Sequence, residues 1–503
     1  MIWIKMLNFK VLKQTKLNVQ IMHQNKGIKK LAELNSFFSP ENNVNDLLLD
    51  LIDKFSCAPL TRHVNSIKSK GYNAGQLLSV LVILPFWAIS SVRSLFVSNL
   101  TSVTPGKKDA YYRFKNNEDI DWRKILYIIG KRFKLLVSQH GQSDGTSCFI
   151  LDDTKLPKSN SQSEGVSKIF DHITKHFVWG YKMLLLGYWD GKSLIPLDFS
   201  LHRESVRNKK RRYGLSRKQR GHQYDKERAE NSQGNKRKAE LNSSKVMQAV
   251  KMILRAIKHG FKAEYVLTDS WFFCYELLHG IRRKKGAPHI ISMTKDGTAK
   301  YEYRGKLYTA TQLRKASSLK PTRCRSLKAR YMEWVVNYKG YKLKLFSVQY
   351  CDQKTPRIMV TTNTSLTFKQ MMEIYSIRWS IEVLFKEAKQ HLNLGKCQSR
   401  DFDAQIADAT IAMIQYTLLS LSKRFNAYET TGELFEASQA DMLELTLAER
   451  YWGLLQEIIT EICEVLEVSP DELMERLFAG GSKEKVLVRI LQGYINETSK
   501  KAA

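Results

Sequence analysis

The spacing of apolar positions changes several times along this chain, and each change predicts an element. Phe149, Ile150 and Leu151 form a short apolar run that stops abruptly at Asp152, Asp153 and Thr154, as a buried strand does at its polar end. Residues 177–189 and 193–201 are apolar and aromatic-rich, separated by the hairpin signal Asp190-Gly191, so the three segments predict consecutive antiparallel strands. From Ser243 to His259 the period lengthens. Val246, Ala249, Val250, Ile253, Leu254 and Ile257 fall on one side of a helix, with Asn242 or Ser243 placed to cap its start and Gly260 its end. Tyr265, Val266 and Leu267 predict a further strand leading to Asp269, and the aromatic run after it reads as the start of a helix. Residues 301–308, 331–338, 341–350 and 357–362 read as strands, with Lys339-Gly340 at a hairpin turn.

The flanking regions are helical in pattern, which makes the chain mixed α/β of the α+β kind. Residues 1–27 read as poorly ordered and 28–135 as a helical region whose clearest apolar segments are 46–55 and 74–95. A core follows in two parts, 145–295 and 366–425, interrupted by a β-rich insertion at 296–365, and 426–503 reads as a helical C-terminal region. The most hydrophobic stretch, 76–92, has a short continuous apolar part and contains Pro85, so it predicts a buried helix rather than a membrane span.

A polar stripe crosses the second core part. Tyr375, Arg378, Glu382 and Lys389 stand at offsets of zero, three, seven and fourteen residues, within roughly 60° of one another on a continuous helix. Ile374, Ile377, Ile381, Leu384, Phe385 and Ala388 occupy the neighbouring arc. A carboxylate between fixed cations suits a metal and phosphate site, while the same spacing on a solvated helix makes ion pairs worth only a few tenths of a kcal/mol.

This Tyr-x2-Arg-x3-Glu-x6-Lys pattern, with Trp379 beside Arg378, resembles the C-terminal catalytic motif of DDE transposases from bacterial insertion sequences of the "insertion sequence four" type. The resemblance implies an RNase H-like catalytic core, a helical N-terminal DNA-binding domain and two upstream aspartates at strand ends. Asp269 supplies one. The other is Asp153, because the family's aspartate is typically followed by threonine, with Asp152 as the alternative since adjacent strand residues face opposite sides. Asp153, Asp269 and Glu382 would then form a catalytic and metal-binding triad for two Mg²⁺ ions, with Mn²⁺ as substitute and no organic cofactor. Hard cations prefer such oxygen ligands, and a pair of them can clamp the attacking and leaving oxygens of a phosphodiester. By the same resemblance Tyr375, Arg378, Trp379 and Lys389 contact DNA, and Trp334, in the β-rich insertion, stacks on a base flipped out near the cut. The partners implied are double-stranded DNA, as transposon inverted-repeat ends and as target, and a second copy of the chain in a homodimer. An inactive or domesticated DNA-binding descendant and a non-transposing nuclease of the same fold share these features.

Charge agrees with a polyanionic partner. The 503 residues carry a formal net charge of +32, and the sequence pI is near 9.7. Basic residues concentrate between 203 and 238, in Lys209-Lys210-Arg211-Arg212, Arg217-Lys218, Arg220 and Lys236-Arg237-Lys238. Low apolar content there predicts a long mobile loop, either ordering on DNA through Arg211 and Arg212 or serving as a solubilising insert. Residues 106–117 mix cations with Tyr111, Tyr112 and Phe114, as DNA-contacting segments do, and 60–78 has room for two helices around a Gly-containing turn. The seven cysteines include no Cys-x2-Cys pair, and His172 and His176 lack a third ligand nearby, which argues against zinc. Lysines interrupt the first thirteen residues too often for a secretory signal, so the expected setting is a bacterial cytoplasm, at the nucleoid.

Overall fold

Where a strand is apolar on both faces it is buried on both, and Cys148–Leu151 meets this condition at the centre of the sheet. The computed structural model describes residues 63–65, 71–98, 104–139, 145–171, 174–204, 214–295, 297, 299–316, 320–350 and 355–425. Its helices before the sheet are α1 (Ala74–Ile83), α2 (Val92–Val97), α3 (Lys108–Lys115) and α4 (Trp122–Gln139). A 3₁₀ turn at Leu84–Trp87 follows α1, started by Pro85, so the most apolar stretch is a buried helix ended by a proline turn. Among the described residues no helix is long and apolar enough to cross a membrane.

The sheet opens with β1 (Cys148–Pro157), β2 (Ser167–Phe170), β3 (Phe177–Trp189) and β4 (Leu194–His202). β1 pairs antiparallel with β3, and β3 with β4, as the pattern predicts. At the turn between them the Asp190 carboxylate accepts from the amides of Lys192 at 3.0 Å and Ser193 at 2.8 Å. The short edge strand β2 has no counterpart in the pattern. β1 does not stop at the aspartates, because its ladder with β3 continues through Asp152 opposite Leu185 and Asp153 opposite Leu184 to Pro157.

Helices α5 (Arg217–Gly221), α6 (Gln233–Ala239) and α7 (Lys245–Lys258) lead to β5 (Tyr265–Thr268), which runs parallel to β1. The basic stretch is therefore built structure from residue 214 onward, and Arg228 and Arg237 within it are buried in ion pairs. Arg211 and Arg212 lie outside the described residues. After β5 the aromatic run forms a turn, and α8 starts only at Tyr275 and runs to Arg282.

β6 (His289–Thr294) is parallel to β5. The chain then makes β7 (Tyr301–Tyr303), β8 (Lys306–Tyr308), α9 (Ala310–Ala316), β9 (Thr322–Cys324), β10 (Ala329–Tyr338), β11 (Tyr341–Tyr350) and β12 (Arg357–Thr361). Two positive-φ residues, Lys339 at 50° and Gly340 at 88°, turn β10 into β11, and another pair at Arg304 and Gly305 splits the predicted 301–308 strand into the hairpin β7–β8. β12 pairs with β6, so the insertion extends the core sheet instead of forming a separate one. The path is β2-β3-β1-β5-β6-β12-β11-β10-β7-β8, with β4 on β3 and β9 on β10. Satisfying the open edge of β6 accounts for this continuity, since an uncovered strand leaves backbone donors and acceptors unpaired.

α10 (Phe368–Ser376), α11 (Trp379–Gln390) and α12 (Phe402–Phe425) complete the described fold. One hydrophobic cluster joins the helices before the sheet, the sheet and α12. In α3, Tyr111 and Phe114 are buried in it and the Lys115 ammonium pairs with Asp408 at 3.0 Å, so these residues hold the fold together rather than face DNA. Residues 1–62, 66–70 and 426–503 and His172 lie outside the described residues, so the 60–78 segment is described only at 63–65 and 71–78.

Candidate active site

Side chains alternate along a strand, so Asp152 and Thr154 share one face of β1 and Asp153 takes the other. The contacts follow that parity. Arg378 donates to Asp152 Oδ2 at 3.1 Å and the Lys389 ammonium donates to Thr154 Oγ1 at 2.6 Å, both from the α10–α11 side. Asp153 instead pairs with Lys245, the first residue of α7, at 2.7 Å. The two helices thus flank β1 on opposite faces. Asp153, favoured in the sequence by the threonine after it, is turned away from Glu382, while Asp152 is turned toward it.

Asp269 stands level with Asp152. The parallel ladder pairs Ile150 with Leu267, and each aspartate follows two residues later, Asp152 within β1 and Asp269 just past the end of β5. The Asp269 carboxylate accepts from the Trp271 amide at 2.9 Å, which fixes the tight turn after β5. Glu382 lies in the first turn of α11, and Arg378 donates to its Oε1 at 2.6 Å. One guanidinium therefore joins Asp152 to Glu382.

The polar stripe does not ride on a single helix. Ile377 and Arg378 form a tight turn between α10 and α11, with i to i+3 bonds from Ile377 N to Ile374 O at 3.2 Å and from Arg378 N to Tyr375 O at 3.0 Å. Such a turn advances faster than an α-helix and re-aims the residues on either side. The result lays the stripe across two strands. The Tyr375 hydroxyl donates to the Thr268 carbonyl at the end of β5 at 3.2 Å, Arg378 meets Asp152, and Lys389 meets Thr154. Three residues expected on DNA thus have protein partners here, whereas Trp379 is 62% exposed.

Burial is the largest influence on the charges of the site. It pushes the Asp152 carboxyl up to about 7, with Asp269 and Asp153 adding to the rise and Arg378 opposing it. Asp269 is raised by burial and by the charge of Asp153. Burial also lifts the Tyr375 hydroxyl to about 12 and lowers Lys389, the latter with help from Lys155. Oxygen-only donors whose charges are crowded and desolvated suit a hard divalent cation. Among the described residues no three His, Cys, Asp or Glu side chains are gathered to hold a metal ion. Arg378 now supplies positive charge between two of the candidate ligands. Asp152, Asp269 and Glu382 are the residues that would hold such an ion.

Two residues beside the site carried no pattern in the sequence. The Lys245 ammonium lies 4.0 Å from the Trp271 ring centre as well as on Asp153, and Trp271 is 44% exposed. A lone lysine opening a helix has no spacing signal, and Trp271 was hidden in an aromatic run read as helix. Trp334, the expected stacking residue, is 4% exposed because it sits on the inward face of β10 between buried Met332 and Val336. Its ring is core and unavailable to a base.

Residues 237–418 match the family model described as "Transposase DDE domain", and residues 93–305 match "DDE superfamily endonuclease". No curated protein matches the chain. A solved piggyBac transposase synaptic complex with hairpin DNA is similar at 13% identity over 82% of each chain, with a TM-score of 0.43. The chain is thus similar to DDE transposase and DDE endonuclease domains over two stretches that overlap at residues 237–305.

Proposed function

We propose that the protein is a cut-and-paste transposase that cleaves double-stranded DNA at the inverted-repeat ends of its element and joins the freed 3′-OH to target DNA. The observation that carries this reading is that Asp152, within β1, stands level with Asp269, just past the end of the adjacent parallel strand β5, while Arg378 joins Asp152 to Glu382. In an RNase H-like core of this kind, Asp152, Asp269 and Glu382 are the triad, and divalent cations bound there would stabilise charge on the attacking and leaving oxygens. The work of the chain itself is positioning. β1 and β5 fix two carboxylates side by side, α11 brings the third, and Tyr375 anchors the α10 end to the Thr268 carbonyl. Trp379, exposed beside Arg378, and the basic side chains around the site suit contact with the DNA backbone. Two ends processed together call for two copies of the chain.

The test is to incubate the full chain with linear DNA carrying the inverted repeats that flank its gene, in Mg²⁺ or Mn²⁺. Nicks at the repeat ends are expected, and Asp269→Asn and Glu382→Gln should each abolish them while leaving the thermal transition in place. Wild-type protein that binds these ends without nicking them in either metal would point to a domesticated DNA-binding protein.

A further inference from the structure

We infer that Arg378 is the built-in counter-cation of the carboxylate site, and that DNA phosphate draws it out, so that metal and DNA bind with positive coupling. The inference rests on the function proposed above and adds an order to it. In the protein alone, one arm of the guanidinium is 3.1 Å from Asp152 Oδ2 and the other 2.6 Å from Glu382 Oε1, with 14% of the side chain exposed. Those oxygens belong to two of the three proposed metal ligands. A divalent ion and a guanidinium repel each other at such range and compete for the same lone pairs, so full coordination requires Arg378 to leave.

The place of Arg378 in the chain makes leaving feasible. It lies in the tight turn between α10 and α11 rather than within either helix, beside the Tyr375 ring and one residue from exposed Trp379. Rotation about side-chain bonds would carry the fork outward without moving α11. Its planar pair of donors matches two phosphate oxygens as well as it matches a carboxylate. Lys245 differs, since it holds Asp153 on the opposite face of β1 and does not touch Glu382 or Asp152. Each adjacent aspartate thus has its own cation, and Arg378 is the one that spans two ligands.

By linkage, whichever ligand favours the outward position of Arg378 strengthens the other equally. Before DNA arrives Arg378 would occupy one oxygen of each of two ligands and leave the site poorly receptive to metal, which limits unprogrammed cleavage. The experiment measures Mn²⁺ affinity of the full chain by calorimetry, with and without a duplex that already ends at the repeat terminus and so leaves nothing to cleave. Wild type should bind Mn²⁺ about 10-fold more tightly with the duplex present. Arg378→Gln should bind it without DNA nearly as tightly as wild type does with DNA, and the duplex should then change the affinity by less than about 3-fold. Arg378→Lys, a one-point donor, should fall between the two and keeps the test available if the glutamine variant does not fold. Lys245→Gln should couple metal and DNA as wild type does. Equal Mn²⁺ affinity of wild type with and without DNA would overturn the inference, as would unchanged coupling in the Arg378 variants. If wild type nicks repeat ends under those same results, only this inference fails. A wild type that neither nicks nor binds Mn²⁺ on DNA defeats the proposed function itself.

Discussion

Asp152→Asn should reduce end cleavage by at least about 10²–10³-fold, the range associated with losing one group that stabilises a transition state, whereas Asp153→Asn should leave substantial cleavage. Asparagine keeps the size of the side chain and removes its charge, so the comparison isolates the carboxylate. At position 152 the charge lost is the one facing Arg378 and Glu382. At position 153 it is the partner of Lys245 on the other face of β1, and the expected cost is roughly 1–3 kcal/mol of folding stability from a broken charged hydrogen bond. Nicking of repeat-end DNA and denaturant unfolding, measured on both variants, separate the two roles. If cleavage vanishes in Asp153→Asn alone while that variant stays folded, the first carboxylate of the triad is Asp153 after all.

The largest expected effect on folding comes from Arg228→Leu, which should lower the unfolding free energy by roughly 3–5 kcal/mol. The Arg228 side chain is 1% exposed and grips both oxygens of Glu164 at 2.7 Å, with Asp403 at 3.0 Å and Asp401 at 3.4 Å. Removing the guanidinium strands three carboxylates in the interior, with Lys226 and Lys238 as the remaining cations. The cluster also fastens the former "loop" between β4 and α7 to the β1–β2 connection and to the start of α12. A loss under about 1 kcal/mol in urea titration would show that the segment is not held this way. The pH dependence has a definite sign. Burial alone would raise Glu164, yet hydrogen bonds from Arg228 and Lys238 hold it down at about 2, below its ordinary 4.5. Its contribution is therefore complete above the ordinary carboxylate range and is lost as pH falls toward 2. Wild type should lose stability across that window more steeply than Arg228→Leu.

Elements set by local chemistry were legible in the sequence. β10 was readable because its alternation and the Lys339-Gly340 turn are properties of neighbouring residues, and α7 because its apolar side repeats at helical spacing. The three antiparallel strands around Asp190-Gly191 were readable for the same reason. What escaped depends on partners far away in the chain. β1 runs on past Asp153 because β3 is there to pair with it, and nothing near residue 152 announces that ladder. The break at Ile377 and Arg378 contains neither Gly nor Pro. Strand parity placed Asp152 and Asp153 on opposite faces, but only the packed helices tell which face holds Glu382. Likewise Arg237 and Lys115 read in the sequence as charge available to DNA, whereas distant Asp198 and Asp408, with nearby Glu240, pair with them.

The pairing of β12 with β6 sets a limit on what variation in the intervening segment can do. The chain leaves the core at Thr294 and re-enters at Ile358 in direct register with it, so departure and return are the two ends of one rung of the ladder. Everything between them is topologically a long excursion from a single hairpin. Lengthening, shortening or exchanging that excursion need not alter the separation of Asp269 from Glu382, which is governed by β5, β6, β12 and the short path into α10. Such a modular joint lets the segment diversify its contacts while the catalytic frame keeps its dimensions.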